Sequence, residues 1–185
     1  MPEHQSLQGQ LILDGGKLHG SFFHRKVVLI CQHDEEGAFG LVLNQLSNSK
    51  VGEALVANLS DGLKGQPLFV GGPVQPGALS YLHTNPTVLD KNVMNNLSLG
   101  HSLDTLIDLG EEWAGAPKFK LFAGYAGWSP GQLDNEMKRK DWLLHPATLD
   151  LVFFPEPAEL WKKIMSEKDP KSRLMADAPD DLSWN

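Results

Sequence analysis

The chain is poor in the features that would classify it quickly. It has one cysteine, Cys31, which excludes an intrachain disulfide and a zinc site built on thiolates. No apolar run approaches the length of a membrane span. The start, MPEHQSLQGQ, has neither a basic opening nor an apolar core segment, so no secretory signal is read and a cytoplasmic location is expected. Positive charge is scarce: Lys and Arg number 16 against 23 Asp and Glu, a formal charge of −7. That sign argues against direct binding to nucleic acid or to an anionic membrane, since both need a basic face. The dense basic run, Lys138-Arg139-Lys140, reads as a solvated helix end. Neither G-x-x-x-x-G-K nor G-x-G-x-x-G occurs, so no phosphate loop is present and no cofactor is expected.

What remains is an ordinary globular mixture. The 185 residues, 41% hydrophobic and 21% charged, suit one domain with a core large enough to fold unaided. KVVLICQH (26–33) and AFGLVLNQ (38–45) read as strands joined by a DEEG hairpin loop, and the first is apolar on both faces, as a central strand would be. SNSK offers caps to a helix carrying Val51, Ala54, Leu55 and Leu59. PLFVGGPV (67–74) and ALSYLHT (78–84) read as strands about a Gly-Gly-Pro turn. Ser102 caps a helix with Leu103, Leu106, Ile107 and Trp113 on one stripe. Then come a strand KFKLFAGY (118–125), a surface helix over 130–140, a strand TLDLVFF (148–154) and an amphipathic helix PAELWKKIMSEK (157–168). Residues 169–185, polar with two prolines, are expected to form a loosely held tail on a single domain of residues 1–168. Strands outnumber helices without strict alternation, so the class is α+β with a mixed sheet.

Three motifs invite a chemical reading. GWSPG (127–131) fits G-x-S-x-G, but a nucleophile elbow needs a backbone N–H on the residue after the serine, and Pro130 has none. Ser129 as N-cap, Pro130 at the first helical position and Gln132 closing a capping box account for the same letters. HDEEG offers His33 and three carboxylates, with His83 or His101 at a distance; a solvated turn is the plainer reading than a metal site. Cys31 and His33 lie two apart on a strand and so should share a face, where the imidazole could activate the thiol; a buried small hydrophobe is the alternative. FVGGPV and GYAGW put glycines at the ends of apolar runs, where the chain turns sharply or leaves room for a ligand.

These segments carry a resemblance. FHRKVVLICQH (23–33) followed by GAFGLVLN (37–44), GGPV (71–74) with Leu82-His83, and GYAGW (124–128) followed by PGQL (130–133) resemble the YqgE/AlgH family of small bacterial proteins over roughly residues 8–165. The resemblance implies a single α+β domain with bent sheets flanked by helices. It implies no reaction, and only one of the family's names points to a regulatory role. The chain departs from the family pattern at Ser129, where glycine is usual, at Gln45-Leu46, where Arg-Pro is usual, and at Gly20-Ser21, where an acidic residue is often found.

Two functions from different classes follow. The first is a binding or regulatory module taking a small molecule or a partner's chain terminus. Its cleft would be bordered by Gly71, Gly72, Pro73, His83, Gly124, Tyr125, Gly127 and Trp128, with His33 or Asn44 joining from neighbouring strands. The second is an enzyme, a hydrolase or transferase using His33 or Cys31. Convergence of Cys31, His33 and His83 in an open pocket would favour the second.

Overall fold

The structure, a computed structural model, describes residues 5–111 and 118–180. Ten strands and seven helices are found there. The strands are β1 (Gln10–Asp14), β2 (Val27–Asp34), β3 (Gly37–Val42), β4 (Leu46–Lys50), β5 (Pro67–Val70), β6 (Val74–His83), β7 (Lys91–Met94), β8 (Leu97–Gly100), β9 (Phe119–Trp128) and β10 (Trp142–Pro146). The helices are α1 (Val51–Ala54), α2 (Asp61–Lys64), α3 (Leu103–Glu111), α4 (Gln132–Lys138), α5 (Leu149–Val152), α6 (Leu160–Lys168) and α7 (Pro170–Asp177).

The sheet runs β10-β1-β2-β3-β9-β6-β8-β7, with β5 branching from β9 and β4 pairing β5. All neighbours are antiparallel except β5 and β9, which are parallel, so the sheet is mixed as the sequence implies. β9 is its spine: it pairs with β3 at its C-terminal end, with β6 along its length and with β5 between. β2 lies between β1 and β3 and is covered on both faces: Val27, Leu29 and Cys31 enter one core cluster, Val28 and Ile30 another. Its unbroken apolar run therefore does mark a central strand. A third cluster gathers Leu63, Tyr81, Leu106 and Leu121 under α2 and α3.

Several local expectations are overturned. TLDLVFF is not a strand: the Thr148 hydroxyl accepts the Leu151 N–H and starts the one-turn helix α5, with Asp150 in its first turn. The helix expected to reach Leu59 stops at Ala54, and Ser60 caps a separate turn, α2. SNSK belongs to the edge strand β4, although Glu53 still reaches back to the Lys50 N–H. GYAGW is no turn: it forms the second half of β9. β1, β7, β8 and β10 carry weak sequence signals, being short and partly polar, and pairing with stronger neighbours holds them.

The C-terminal segment also differs from a loose tail. Asp169 caps α7 by accepting the Ser172 N–H, Pro170 sits in the first turn, and Ala176 is buried against the core. Trp113 of the expected α3 stripe and residues 181–185 lie outside the described residues.

Among the described residues no helix is long and apolar enough to cross a membrane. Lys120 on β9 is buried, donates from Nζ to the carbonyls of Leu43 (2.8 Å) and Val152 (3.1 Å), and stands 4.1 Å from the Phe69 ring centroid. Burial lowers its pKa to about 7. A neutral amine still has two hydrogens, enough for both carbonyls.

Candidate functional site

The residues singled out by motif are dispersed. β2 carries a bulge: its register with β3 passes from Ile30↔Gly40 to Gln32↔Phe39, leaving Cys31 without a partner. The extra residue shifts the alternation, so Cys31 and His33 do not share a face. Cys31 packs in the cluster with Leu29 and Leu41. Ala38, the partner of His33, packs against the other cluster. Cys31 is fully buried, its thiol directed to the Leu29 carbonyl, and burial pushes its pKa far up. No thiolate is available there.

His33 is buried too: its Nδ1 accepts the Leu7 N–H (3.1 Å), and its Nε2 lies 3.6 Å from the Asp134 carboxylate. It ties the N-terminal segment and α4 to the sheet. His83 is buried with both nitrogens engaged, Nδ1 by the Asn85 N–H and Nε2 by Asp90 (2.9 Å). His83 pairs with Phe119 and Ala38 pairs with Trp128, at the two ends of the ten-residue β9. The two histidines and Cys31 therefore do not converge.

The glycines do meet, but they fill space rather than leave it. A Cβ on Gly71 would stand 2.3 Å from the Gly124 carbonyl oxygen, and one on Gly72 would stand 2.1 Å from the Tyr125 carbonyl carbon. Gly124 has φ +71, and a Cβ there would stand 2.7 Å from the Gly72 carbonyl oxygen. GGPV and GYAGW are thus the two sides of one backbone crossing. Pro73 and Gly127 are exposed, and Tyr125 packs on Phe39 with ring centroids 4.9 Å apart. Trp128 is buried; its indole N–H and that of Trp142 both donate to Glu136 Oε2, at 2.9 and 2.8 Å. Ser129 is not the cap of α4. Gly131, in the left-handed region at φ 71, holds that place, and Gln132 accepts the Ser129 backbone N–H as a capping-box partner would.

Asn44 leads elsewhere. Its Oδ1 accepts the Val27 N–H (2.8 Å) and its Nδ2 donates to the Arg25 carbonyl (2.9 Å), clamping the entry to β2. The preceding loop is organised by Asp14, whose carboxylate is completely buried. Its Oδ1 accepts the N–H groups of Gly16 (2.7 Å) and Leu18 (3.2 Å), and its Oδ2 accepts that of Arg25 (2.8 Å). Its backbone carbonyl accepts the indole N–H of Trp161 on α6 (2.9 Å). These bonds hold Arg25 at φ 53, a left-handed conformation that costs a side-chain-bearing residue about 1–2 kcal/mol. The guanidinium is thereby set 4.9 Å above the Trp161 ring.

A cavity of about 430 Å³ opens beside it, bordered by Arg25, Lys26, Asn44, Trp161, Lys162 and Asp180. Three cationic side chains, Arg25, Lys26 and Lys162, and two carboxylates, Glu159 and Asp180, line it beside the Trp161 ring. Burial lowers the Lys26 pKa and the nearby Asp180 carboxylate raises it. Asp180 Oδ1 lies 3.2 Å from both His24 Nε2 and Arg25 Nε. His24 Nδ1 faces Asp14 Oδ2 at 3.3 Å without hydrogen-bonding geometry. Such an arrangement can hold a carboxylate or phosphate.

Of the residues chosen from sequence, only Asn44 borders this cavity. His24, Arg25 and Lys26 lie within the segment that carries the family resemblance, yet three adjacent cationic letters give no sign of a cavity. Trp161 reads as one more apolar position of an amphipathic helix.

Comparison with known proteins agrees with the fold. The AlgH-like family profile matches residues 11–173. A UPF0301 protein of Methylococcus capsulatus is 33% identical over 171 residues, covering 89% of this chain and 93% of its own. One from Shewanella denitrificans is 37% identical over 166 residues, covering 84% and 88%. The solution structure of the AlgH protein from Pseudomonas aeruginosa superposes with a TM-score of 0.74 at 26% identity, over 96% of this chain and 100% of that one.

Proposed function

We propose a function from one premise: the chain belongs to the AlgH-like family. The protein is a binding module, and its site is the cationic cavity beside Arg25 and Trp161. The ligand is a small molecule or partner bearing a carboxylate or phosphate. The observation that carries this reading is the seat of the Asp180 carboxylate, 3.2 Å from both His24 and Arg25 at the mouth of a cavity that continues beyond it. The strained backbone of Arg25 supports it, because strain of this kind persists where the surroundings over-determine a useful orientation. The enzyme alternative based on His33 or Cys31 has less support: one is engaged at both nitrogens and the other is sealed in the core.

A thermal-shift screen with citrate, pyrophosphate and acidic dipeptides tests the reading. A ligand that binds only the folded state raises the melting temperature by mass action, by an amount set by its concentration over its Kd. At least one anion should raise it, and Lys162→Gln should blunt the rise. No shift with any anion at millimolar concentration counts against the reading.

A further inference from the structure

We propose that the cationic cavity recognises an acidic peptide in extended conformation, and that residues 178–180 of the same chain are its built-in competitor. The proposal rests on the cavity being a binding site, and it names the ligand and the regulation of that site.

The contacts of residues 178–180 show what the site can read. Arg25 Nη2 donates to the Ala178 carbonyl at 2.7 Å and to the Pro179 carbonyl at 3.3 Å. Arg25 Nε and His24 Nε2 share Asp180 Oδ1, each at 3.2 Å. One guanidinium thus spans two consecutive main-chain carbonyls and the next side-chain carboxylate. A free phosphate cannot offer that pattern, and a helix would turn its carbonyls along its own axis. Ala178 has φ −67 and ψ 144, polyproline-like geometry, and the ring of Pro179 fixes that residue's own φ. The segment is therefore presented to Arg25 already extended.

The occupant is weakly held. The Asp180 side chain is 75% exposed, and ion pairs so open to water contribute little. Its anchor is α7, which ends at Asp177 and is closed by the Ala178 N–H bonding to the Leu174 carbonyl, so the segment can peel away while the helix stays docked. The cavity is also bordered by Lys26, Asn44 and Lys162; Asp180 reaches Lys26 through its field without an ion pair, and residues 178–180 make no ion pair with Lys162. Lys162 has only a distant contact with Asp177 (3.8 Å), while Glu159 supplies one negative charge on the rim. A separate peptide that sets an acidic residue against Lys26 or Lys162 would add ion pairs that residues 178–180 do not make. The segment holds its place through tethering, since a linked competitor has an effective concentration in about the millimolar range.

The test is fluorescence anisotropy with a labelled peptide ADAPDD, the sequence of residues 176–181, on full-length protein. Asp180→Asn should bind it several-fold more tightly than the unaltered chain. Lys162→Gln in that background should weaken binding several-fold, and so should replacing the peptide's aspartates with asparagine. Arg25→Gln should abolish binding; because Arg25 sits in a strained turn, the Lys162 variant and a thermal melt keep the result interpretable. Equal affinity of the unaltered chain and Asp180→Asn overturns the competitor. If neither binds the peptide while pyrophosphate still raises the melting temperature, the site takes a small anion: the peptide proposal falls and the binding reading stands. If neither probe has an effect, both fall.

Discussion

At the glycine crossing a Cβ on Gly72 would fall 2.1 Å from the Tyr125 carbonyl carbon, whereas beside Arg25 and Trp161 a cavity of about 430 Å³ stays open. The crossing is made of motifs that stand out in the sequence, and it contains only backbone. The cavity is made of residues that do not stand out, drawn from a loop before β2, the end of the β2–β3 hairpin, α6 and the segment after α7. Its parts are held by bonds of long sequence separation: Asp14 to Trp161, Asn44 to Arg25, Arg25 to Ala178. A motif that stands out locally reports a local demand on the chain, and close packing is the commonest such demand. An open site is a product of topology.

The comparison can be broken most severely at the crossing. Gly72→Ala must displace the β9 backbone, and a loss of about 3–5 kcal/mol of stability is expected in urea denaturation. A loss below about 1 kcal/mol would mean that the crossing has room and that its glycines serve something other than packing.

Next is the contrast between cations in the cavity and the one in the core. The Lys120 pKa is lowered to about 7 in the fold, against 10.5 for an ordinary lysine. Between those values the unfolded chain keeps a proton that the folded chain has shed. Folding stability should therefore rise with pH through that window, by a few kcal/mol in all, and be flat with respect to this group below it. Lys120→Met should lose this rise. Denaturation midpoints at pH 6, 8 and 9.5 for both proteins check it, and parallel curves would mean that Lys120 stays charged in the fold.

Asp180→Asn should barely move the melting temperature, although it changes peptide affinity, because its pairs are largely hydrated. A fall of several degrees would make residues 178–180 part of the fold rather than a displaceable occupant. Smallest of all is the effect expected at Cys31: a thiol reagent such as DTNB should leave the native protein unmodified and react with one thiol after unfolding. Rapid native labelling would reopen the catalytic reading.

The central strands were legible because burial on both faces leaves an unbroken apolar run, as in Val27–Cys31. The class was legible in the excess of strands over helices, and the family in the segments FHRKVVLICQH, GGPV and GYAGW. Thr148 illustrates what was not: Leu149–Val152 has the composition of a strand, and one hydroxyl cap makes it a helical turn. The bulge at Cys31 illustrates another limit, since one unpaired residue reverses which face His33 occupies, and no letter in ICQHD announces it. The site was least legible. Asn44 was chosen as a neighbour of the glycine motifs, but its amide serves the opposite side of the chain, and Arg25, Trp161 and Asp180 come together only in the folded chain.

β9 has a consequence for the order in which the chain can fold. Its partners are residues 38–40, 68–70 and 74–83, all made well before it. The β2–β3 hairpin can close early, but β3, β5 and β6 each keep an unpaired edge until residues 119–128 arrive. Pairings of such long sequence separation are slow to form, because loop closure must precede any gain from contact. During synthesis the nascent chain therefore carries three open edges at once, the condition in which strands pair with the wrong chain. The early strands are joined into one sheet by its ninth.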